Sequence, residues 1–296
     1  MARIIDGRKI AEDIRREVKA AADVLRQTRG ITPGLAFILV GNNAASQVYV
    51  GVKGRACEEA GFYSVTEILP SDTSGETLLR KIDQFNNDKR IHGILVQLPL
   101  PKQINEQAVL EAIHPSKDVD GFHPYNVGLL VTGRKTLRPC TPAGIQELLI
   151  RSGNDPAGKH VVVVGRSNVV GKPVANILLQ KEMGANAVVT VTHTGALDLG
   201  MYTKTADVLI AAIGKPRIIT GAMIKPGSVV IDVGINRVED PTAKKGSRIV
   251  GDVDFESAFK VAGAITPVPG GVGPMTIAML MKNTLQAALA TTQTTK

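Results

Sequence analysis

Apolar residues recur at steps of three and four over residues 7–29, so that Ile10, Ile14, Val18, Ala22 and Leu25 share one face of a predicted helix that Gly30 stops. LAFILVG (35–41) follows as a continuous apolar run of strand length. The alternation repeats with a helix through Tyr49 and Lys53 ending at Gly61, a strand near YSVTEIL, a helix from about Ser74 carrying Leu78, Leu79, Ile82 and Phe85, and a strand in GILVQLPL. Strands alternating with helices predict a parallel sheet covered on both faces. TPAGIQELLIRSG (141–153) reads as a helix with Thr141 as N-cap and Pro142 at its first position, and the domain change is placed near it. A second series follows, with strands at 160–165, 187–192, 206–214 and 228–234, lasting to about residue 270. The last apolar helix, MTIAMLMKNTLQAALA, follows Pro274 and is expected to pack back on the first domain, while the polar tail TTQTTK is expected to fray. The expected fold is α/β in two domains. Residues 1–140, with the C-terminal helix 275–296, form a catalytic domain, and residues 141–274 form a Rossmann-type parallel-sheet domain.

Composition narrows the partners. An apolar fraction of 44% and a charged fraction of 21% are those of a globular protein. No apolar run approaches the ~18 residues of a membrane span. The N-terminal stretch interleaves charges with isoleucines, unlike a signal peptide, so a cytoplasmic location is expected. Only Cys57 and Cys140 are present, without partners at zinc spacing, so neither a disulfide framework nor a structural metal is implied. The net charge of +8 raises nucleic acid as a partner, but the basic residues are scattered and aromatics make up only 3%, leaving little to stack on bases. Anionic small molecules suit the charge equally well, as does a merely solvated basic surface.

VVVVGRSNVVGKPVANILL reads as strand, glycine turn and helix, which is where backbone N–H groups face a phosphate. The motif departs from G-x-G-x-x-G. Gly165 matches, Ser167 and Val170 stand at the later glycine positions, and Gly171 comes one residue late. An ordinary strand-to-helix turn would look much the same. The second strand ends in His193 and Thr194, with no carboxylate until Asp198. An NAD site places an acid there for the ribose hydroxyl, whereas Arg166, Ser167 and Thr194 suit a 2′-phosphate, so NADP is the expected cofactor. Arg166 as a solvated loop residue and His193 as a satisfied strand-end histidine is the competing reading.

Tyr49 and Lys53 are four residues apart and so share a helical face. A lysine stem packed on a ring would explain the pair as well. Gln97 adds to it as a polar side chain at the end of an apolar strand, where parallel α/β sheets place ligands. KDVDGFHP brings Asp118 and Asp120 before a glycine, either as an ordinary turn or as a ligand carboxylate. The Tyr-x-x-x-Lys spacing also occurs in short-chain dehydrogenases, but there it follows the glycine turn within one domain. Here it precedes that turn by more than a hundred residues.

Taken in order, SQVYVGVK, GILVQLPLP, KDVDGFHP, RPCTPAG, VVGRSNVVGKP, ADVLIAAIGKP, VVIDVGINR, GDVDF and TPVPGGVGPMT resemble the methylenetetrahydrofolate dehydrogenase/cyclohydrolase family along nearly the whole chain. The resemblance implies a homodimer of two-domain subunits with tetrahydrofolate substrates and NADP in a cleft between the domains. It implies oxidation of 5,10-methylenetetrahydrofolate to the methenyl cation and hydrolysis of that cation to 10-formyltetrahydrofolate. A dehydrogenase without the hydrolytic step is the alternative. By resemblance Lys53 is the catalytic lysine with Tyr49 and Gln97 beside it. Asp120 binds the pterin, with Asp118 as the competing acid. Tyr49, Pro269, Gly270 and Gly273 touch folate, and Gly165, Arg166, Ser167, Thr194 and Ile235 hold NADP. The sequence departs from the family at His193-Thr194-Gly195-Ala196, where His-Ser-x-Thr is common, so the detail of 2′-phosphate recognition differs. A cation formed beside a lysine requires that lysine to be neutral for part of the cycle, at a cost of about 4.6 kcal/mol if its pKa is to fall near 7.

Overall fold

The structure is a computed structural model that describes residues 1–243 and 246–291. The predicted fraying of TTQTTK falls, for residues 292–296, outside the described residues. Two compact units divide the chain, one of residues 1–11 and 141–276, the other of residues 12–140 together with the segment from Ile277 onward.

In chain order the elements are β1 (Arg3–Ile4), α1 (Gly7–Arg29), β2 (Gly34–Val40), α2 (Ala44–Glu59), β3 (Tyr63–Leu69), α3 (Gly75–Asn87), β4 (Gly93–Val96), α4 (Glu106–Ala112), α5 (Pro124–Val131) and α6 (Cys140–Arg151). There follow β5 (His160–Val164), α7 (Gly171–Leu178), β6 (Val188–Thr192), α8 (Gly200–Thr203), β7 (Val208–Ala211), β8 (Val229–Asp232), β9 (Asn236–Glu239), β10 (Ser247–Val250), α9 (Phe255–Phe259), β11 (Ala264–Ile265) and α10 (Val272–Thr291).

In the unit around residues 12–140, β2 runs in parallel between β3 and β4. All seven residues of β2 are buried, as a central strand covered on both faces requires. Ala36, Ile38 and Val40 meet Leu78 and Ile82 of α3 and Val109 of α4 in one core. Each helix is set by a local signal. Asn43 accepts the Ser46 amide at the start of α2, Ser74 accepts the Thr77 amide at the start of α3, and Asn105 accepts the Ala108 amide at the start of α4. The part of α10 from Ile277 onward belongs to this unit, where Cys57 Sγ meets Met281 Sδ at 3.8 Å. Asn283, 4% exposed in a mostly apolar helix, donates from Nδ2 to the carbonyls of Val119 and Arg138, both at 2.8 Å.

The other unit is built on a six-stranded sheet in the order β1-β11-β8-β7-β5-β6, with every pair parallel. β6 lies on one side of β5 and β7 on the other, so the strand order reverses at β5 and opens a crevice beyond the carboxyl ends of β5 and β7. Strands β5 to β8 are the four that hydrophobic patterning predicts. The patterning misses β1 and β11, two residues each, and the antiparallel pair β9–β10. Pairing of Arg3 with Ala264 places the first residues of the chain in this unit, whereas the sequence boundary groups them with the other. Thr141 is not an N-cap, because α6 already starts at Cys140. Its hydroxyl instead meets that of Thr276 at 2.8 Å.

Asn283→Ala leaves two backbone carbonyls without this donor and is expected to destabilise the protein by about 2 kcal/mol, since unpaired buried polar groups carry their desolvation cost. Urea unfolding followed by circular dichroism measures it, with Gln286→Ala on the same helix as the control.

Candidate active site

α2 presents Tyr49 and Lys53 one turn apart, and β4 runs into Gln97 at its carboxyl end. The Gln97 amide donates to the Ile38 carbonyl of β2, which extends the sheet by one rung and sets the side chain. Gln97 Nε2 donates to the Leu98 carbonyl at 2.8 Å, so Oε1 faces Lys53 and accepts from Nζ at 3.1 Å. The same Nζ lies 5.1 Å from the centre of the Tyr49 ring. Lys53 is only 6% exposed, whereas Tyr49 is 39% exposed and offers an open aromatic face. Burial pushes the Lys53 amine below its ordinary value, and the Asp120 charge opposes the shift. Burial also raises the Tyr49 hydroxyl, reinforced by Asp120, so this tyrosine stays protonated.

The two acids of KDVDGFHP have separate environments. Asp118, 2% exposed, has both oxygens occupied. Oδ1 accepts the amides of Gly121 and Phe122 at 3.1 and 3.2 Å, while Oδ2 accepts the His123 amide and Asn126 Nδ2, each at 2.8 Å. It is the clasp of the turn that leads into α5. Gly121 sits in that turn at φ +74°, and a Cβ there would lie 2.5 Å from Pro139 N. Asp120 retains part of its surface, yet burial pushes its carboxyl up to about 6, against the pull of Lys53 and with a push from Asp118. The structure therefore brings Lys53, Tyr49, Gln97 and Asp120 together and leaves Asp118 to the backbone.

Cys140 joins this cluster, and sequence reasoning passed over it. Its Sγ donates to the Val119 carbonyl at 3.2 Å and accepts Asn283 Nδ2 at 3.6 Å, and it interacts electrostatically with Asp120. Burial and the Asp120 charge hold the thiol well above its usual range, so it is a neutral donor rather than a nucleophile. The available signal was a lone asparagine in the mostly apolar α10. A cavity of about 840 Å³ in the same unit, lined by Gly30, Tyr63, His92 and Lys117 among others, lies at the amino ends of β2–β4 and takes in none of these residues.

In the unit of residues 141–276, Gly165 has φ +137°, and a Cβ there would sit 2.1 Å from the Ala212 carbonyl oxygen. A Cβ on Gly171 would sit 2.2 Å from the Gly165 oxygen, so α7 begins tight against the turn. Glycine is thus required where the motif departs from the usual spacing. Ser167 Oγ accepts the amides of Val170 and Gly171 at 3.1 and 3.3 Å, which leaves its hydroxyl hydrogen to be donated outward. Arg166 and Thr194 are exposed. His193 Nδ1 accepts the Gly195 amide and so shapes the turn after β6. Asp198 is used by the Gly200 amide, and no acid stands at the end of β6. These features fit NADP. Ile235, 65% exposed, follows β8. Pro269, Gly270 and Gly273 also lie in this unit. A Cβ on Gly273 would meet nothing within 4 Å, while Gly271 is packed against Gly7, so only the former leaves room for a ligand.

A doubly wound nucleotide unit, with a buried lysine and carboxyl on a separate sheet, fits a two-domain α/β oxidoreductase. Residues 5–120 match the family described as tetrahydrofolate dehydrogenase/cyclohydrolase, catalytic domain, and residues 139–292 match its NAD(P)-binding domain. The bifunctional protein FolD of Syntrophus aciditrophicus is 58% identical over 285 residues, covering 96% of this chain and 97% of that one. The crystal structure of the bifunctional enzyme FolD from Campylobacter jejuni superposes with a TM-score of 0.92 at 46% identity, covering 98% and 100% of the two chains. That of Trypanosoma brucei FolD, complexed with NADP cofactor and inhibitor, gives 0.92 at 40% identity, covering 99% of each. The chain belongs to the tetrahydrofolate dehydrogenase/cyclohydrolase family.

The raised Asp120 carboxyl has a consequence for stability. A folded pKa near 6, above the ordinary 3.8, means that the stabilisation present below about pH 4 is lost as pH rises through 6. Asp120→Asn has no such ionisation. Without ligand it is expected to exceed the wild type in stability by up to about 3 kcal/mol at pH 7.5, the gain shrinking as pH approaches 4. Denaturant titrations at the two pH values measure this.

Proposed function

We propose that this chain oxidises 5,10-methylenetetrahydrofolate with NADP to the 5,10-methenyl cation and hydrolyses that cation to 10-formyltetrahydrofolate, with Lys53 as the acid–base group of the second step. The observation that carries the assignment of Lys53 is its amine, buried, held by Gln97 and pushed below its ordinary pKa.

Asp120 accepts the ring N–H and exocyclic amine of the pterin as a two-donor fork. At pH 7 a carboxyl titrating near 6 is ionised by about ten to one, as acceptance from two donors requires. Tyr49 stacks its open face on the folate ring. Gly273, with open space on its Cβ side, and Pro269 and Gly270 beside it supply backbone contacts to folate. Gly165, Arg166, Ser167, Thr194 and Ile235 hold NADP, which when bound supplies the hydride acceptor. Hydride loss leaves positive charge over N5, the one-carbon unit and N10. Asp120 counters that charge, while the cation itself discourages protonation of the nearby Lys53. In the hydrolytic step neutral Lys53 takes one proton from the water that adds to the methenyl carbon. The C–N5 bond then breaks as the carbinol O–H becomes the carbonyl, N5 receives a proton from Lys53, and one proton is released overall. Gln97, fixed by the Leu98 carbonyl, accepts from the amine and leaves its lone pair for the water.

A dehydrogenase without the second step gains no support. The close relatives carry the bifunctional name, and a buried base with its orienting amide is present. The same reading has the chain act as a cytoplasmic homodimer on small folates, with neither nucleic acid nor membrane as partner. Its support is the family, the 3% aromatic content, and the fact that no described helix is long and apolar enough to cross a membrane.

Lys53→Met is expected to reduce conversion of methenyl- to 10-formyltetrahydrofolate at least a hundredfold while leaving NADP affinity within about twofold. Absorbance-monitored decay of the methenyl species measures the first and a binding titration the second. Unchanged decay would remove the assignment. Arg166→Ala should raise KM for NADP roughly tenfold with little change in KM for NAD, since a charge-assisted contact to the 2′-phosphate is lost.

A further inference from the structure

Two carboxylates of the nucleotide unit play no part in the chemistry above. Asp232 closes β8, and Asp252 lies in the GDVDF segment after β10. They are 4% and 0% exposed, and buried carboxylates persist only with partners of fixed geometry. Asp252 Oδ2 accepts the amides of Ile213 and Gly214 at 2.5 and 2.9 Å, and its Oδ1 accepts Asn236 Nδ2 at 2.8 Å. Its own amide donates to Asp232 Oδ1 at 2.9 Å. Asp232 also accepts the amides of Gly234 at 2.9 Å and Val253 at 3.0 Å. Three turns, at 212–214, 232–236 and 250–253, are thereby tied to one pair of acids. The spacing leaves no room for side chains. A Cβ on Gly251 would fall 1.8 Å from Asp232 Oδ2, and one on Gly234 would fall 2.3 Å from the Asp252 amide nitrogen.

The first of those turns follows β7, which pairs with β5 at the point where the strand order reverses, and its Ala212 carbonyl abuts Gly165. The planarity of the peptide fixes what this does. With the N–H groups of residues 213 and 214 directed at Asp252, the carbonyls of Ala212 and Ile213 are directed the opposite way. The third contact, through Asn236, fixes the residue next to the exposed Ile235.

We propose that Asp252 is a positioning residue for NADP: through the amides of Ile213 and Gly214 it holds the turn that abuts Gly165, and through the side chain of Asn236 it holds the residue beside Ile235. The assignment rests on the NADP site placed above. It is specific to the redox half of the activity, because hydrolysis of the methenyl cation uses no nucleotide and its acid–base group Lys53, with Gln97, belongs to the other unit.

Asp252→Asn replaces one accepting oxygen by a donor, so that either the pair of amides or Asn236 meets an NH2 group. The expected result is at least a tenfold rise in both the Kd and the KM for NADP, with KM and kcat for hydrolysis of methenyltetrahydrofolate within twofold of wild type. Retained hydrolysis separates positioning from general unfolding. NADP binding within twofold of wild type in a variant that still hydrolyses would overturn the proposal. If Asp252→Asn loses both reactions, Asn236→Ala decides. It removes one of the three contacts, and an NADP KM raised threefold or more with hydrolysis retained supports the assignment, whereas an unchanged KM overturns it. Failure of the wild-type protein to bind NADP would instead sink the underlying cofactor assignment, so the two failures are distinguishable.

Discussion

An amine and a carboxyl share one buried corner of the catalytic unit, and burial drives them in opposite directions along the pH scale. Lys53 goes down, and Asp120 goes up to about 6. Each charge relieves part of the other's desolvation. This opposition brings both groups closer to neutral pH than ordinary side chains of their kind, and much of the unit maintains it. α2 holds the lysine below the tyrosine, β4 delivers Gln97, and Cys140 and Asn283 fix the strand of chain that carries Asp120. Loss of any of these leaves the two ionisable groups present but free to move apart, and the pKa values would relax toward their solution values.

Four acids illustrate how environment divides one residue type between architecture and reaction. Asp118, Asp232 and Asp252 each accept three or four hydrogen bonds, mostly from backbone amides. Asp120, two residues from Asp118, has no backbone amide assigned to it and meets a thiol and a buried lysine instead. A carboxylate saturated by amides is committed to holding turns. One left partly open can accept from a substrate. Burial still raises Asp232 to about 6 despite its three amides, which shows how much desolvation the tie between turns has to overcome.

The helices and central strands were legible because burial leaves a local signature. α1 spans the residues that its apolar spacing predicts, and β2 to β8 fall on the predicted apolar runs. The i,i+4 relation of Tyr49 and Lys53 was likewise readable. Contacts across long stretches of chain were not. Lys53 and Gln97 are 44 residues apart, and nothing in either neighbourhood states that Nζ and Oε1 meet. The strands of two residues, β1 and β11, are too short for any period to show, and Cys140, without partners at zinc spacing, carries no motif to mark it. Spacing left Asp118 and Asp120 equivalent, and only the amides of Gly121, Phe122 and His123 distinguish them.

The rung between Arg3 and Ala264 bears on how the chain matures. Arg3 is made roughly 260 residues before its partner exists, so the nucleotide sheet cannot gain its outermost strand until β11 has been made, and contacts of such separation form slowly. The whole of residues 12–140 emerges in the interval. The catalytic sheet can therefore assemble while the nucleotide sheet still waits for its strands, and α10, needed by that first unit, follows β11. Each unit thus includes a segment made after residue 260, so neither is complete until α10 has followed β11.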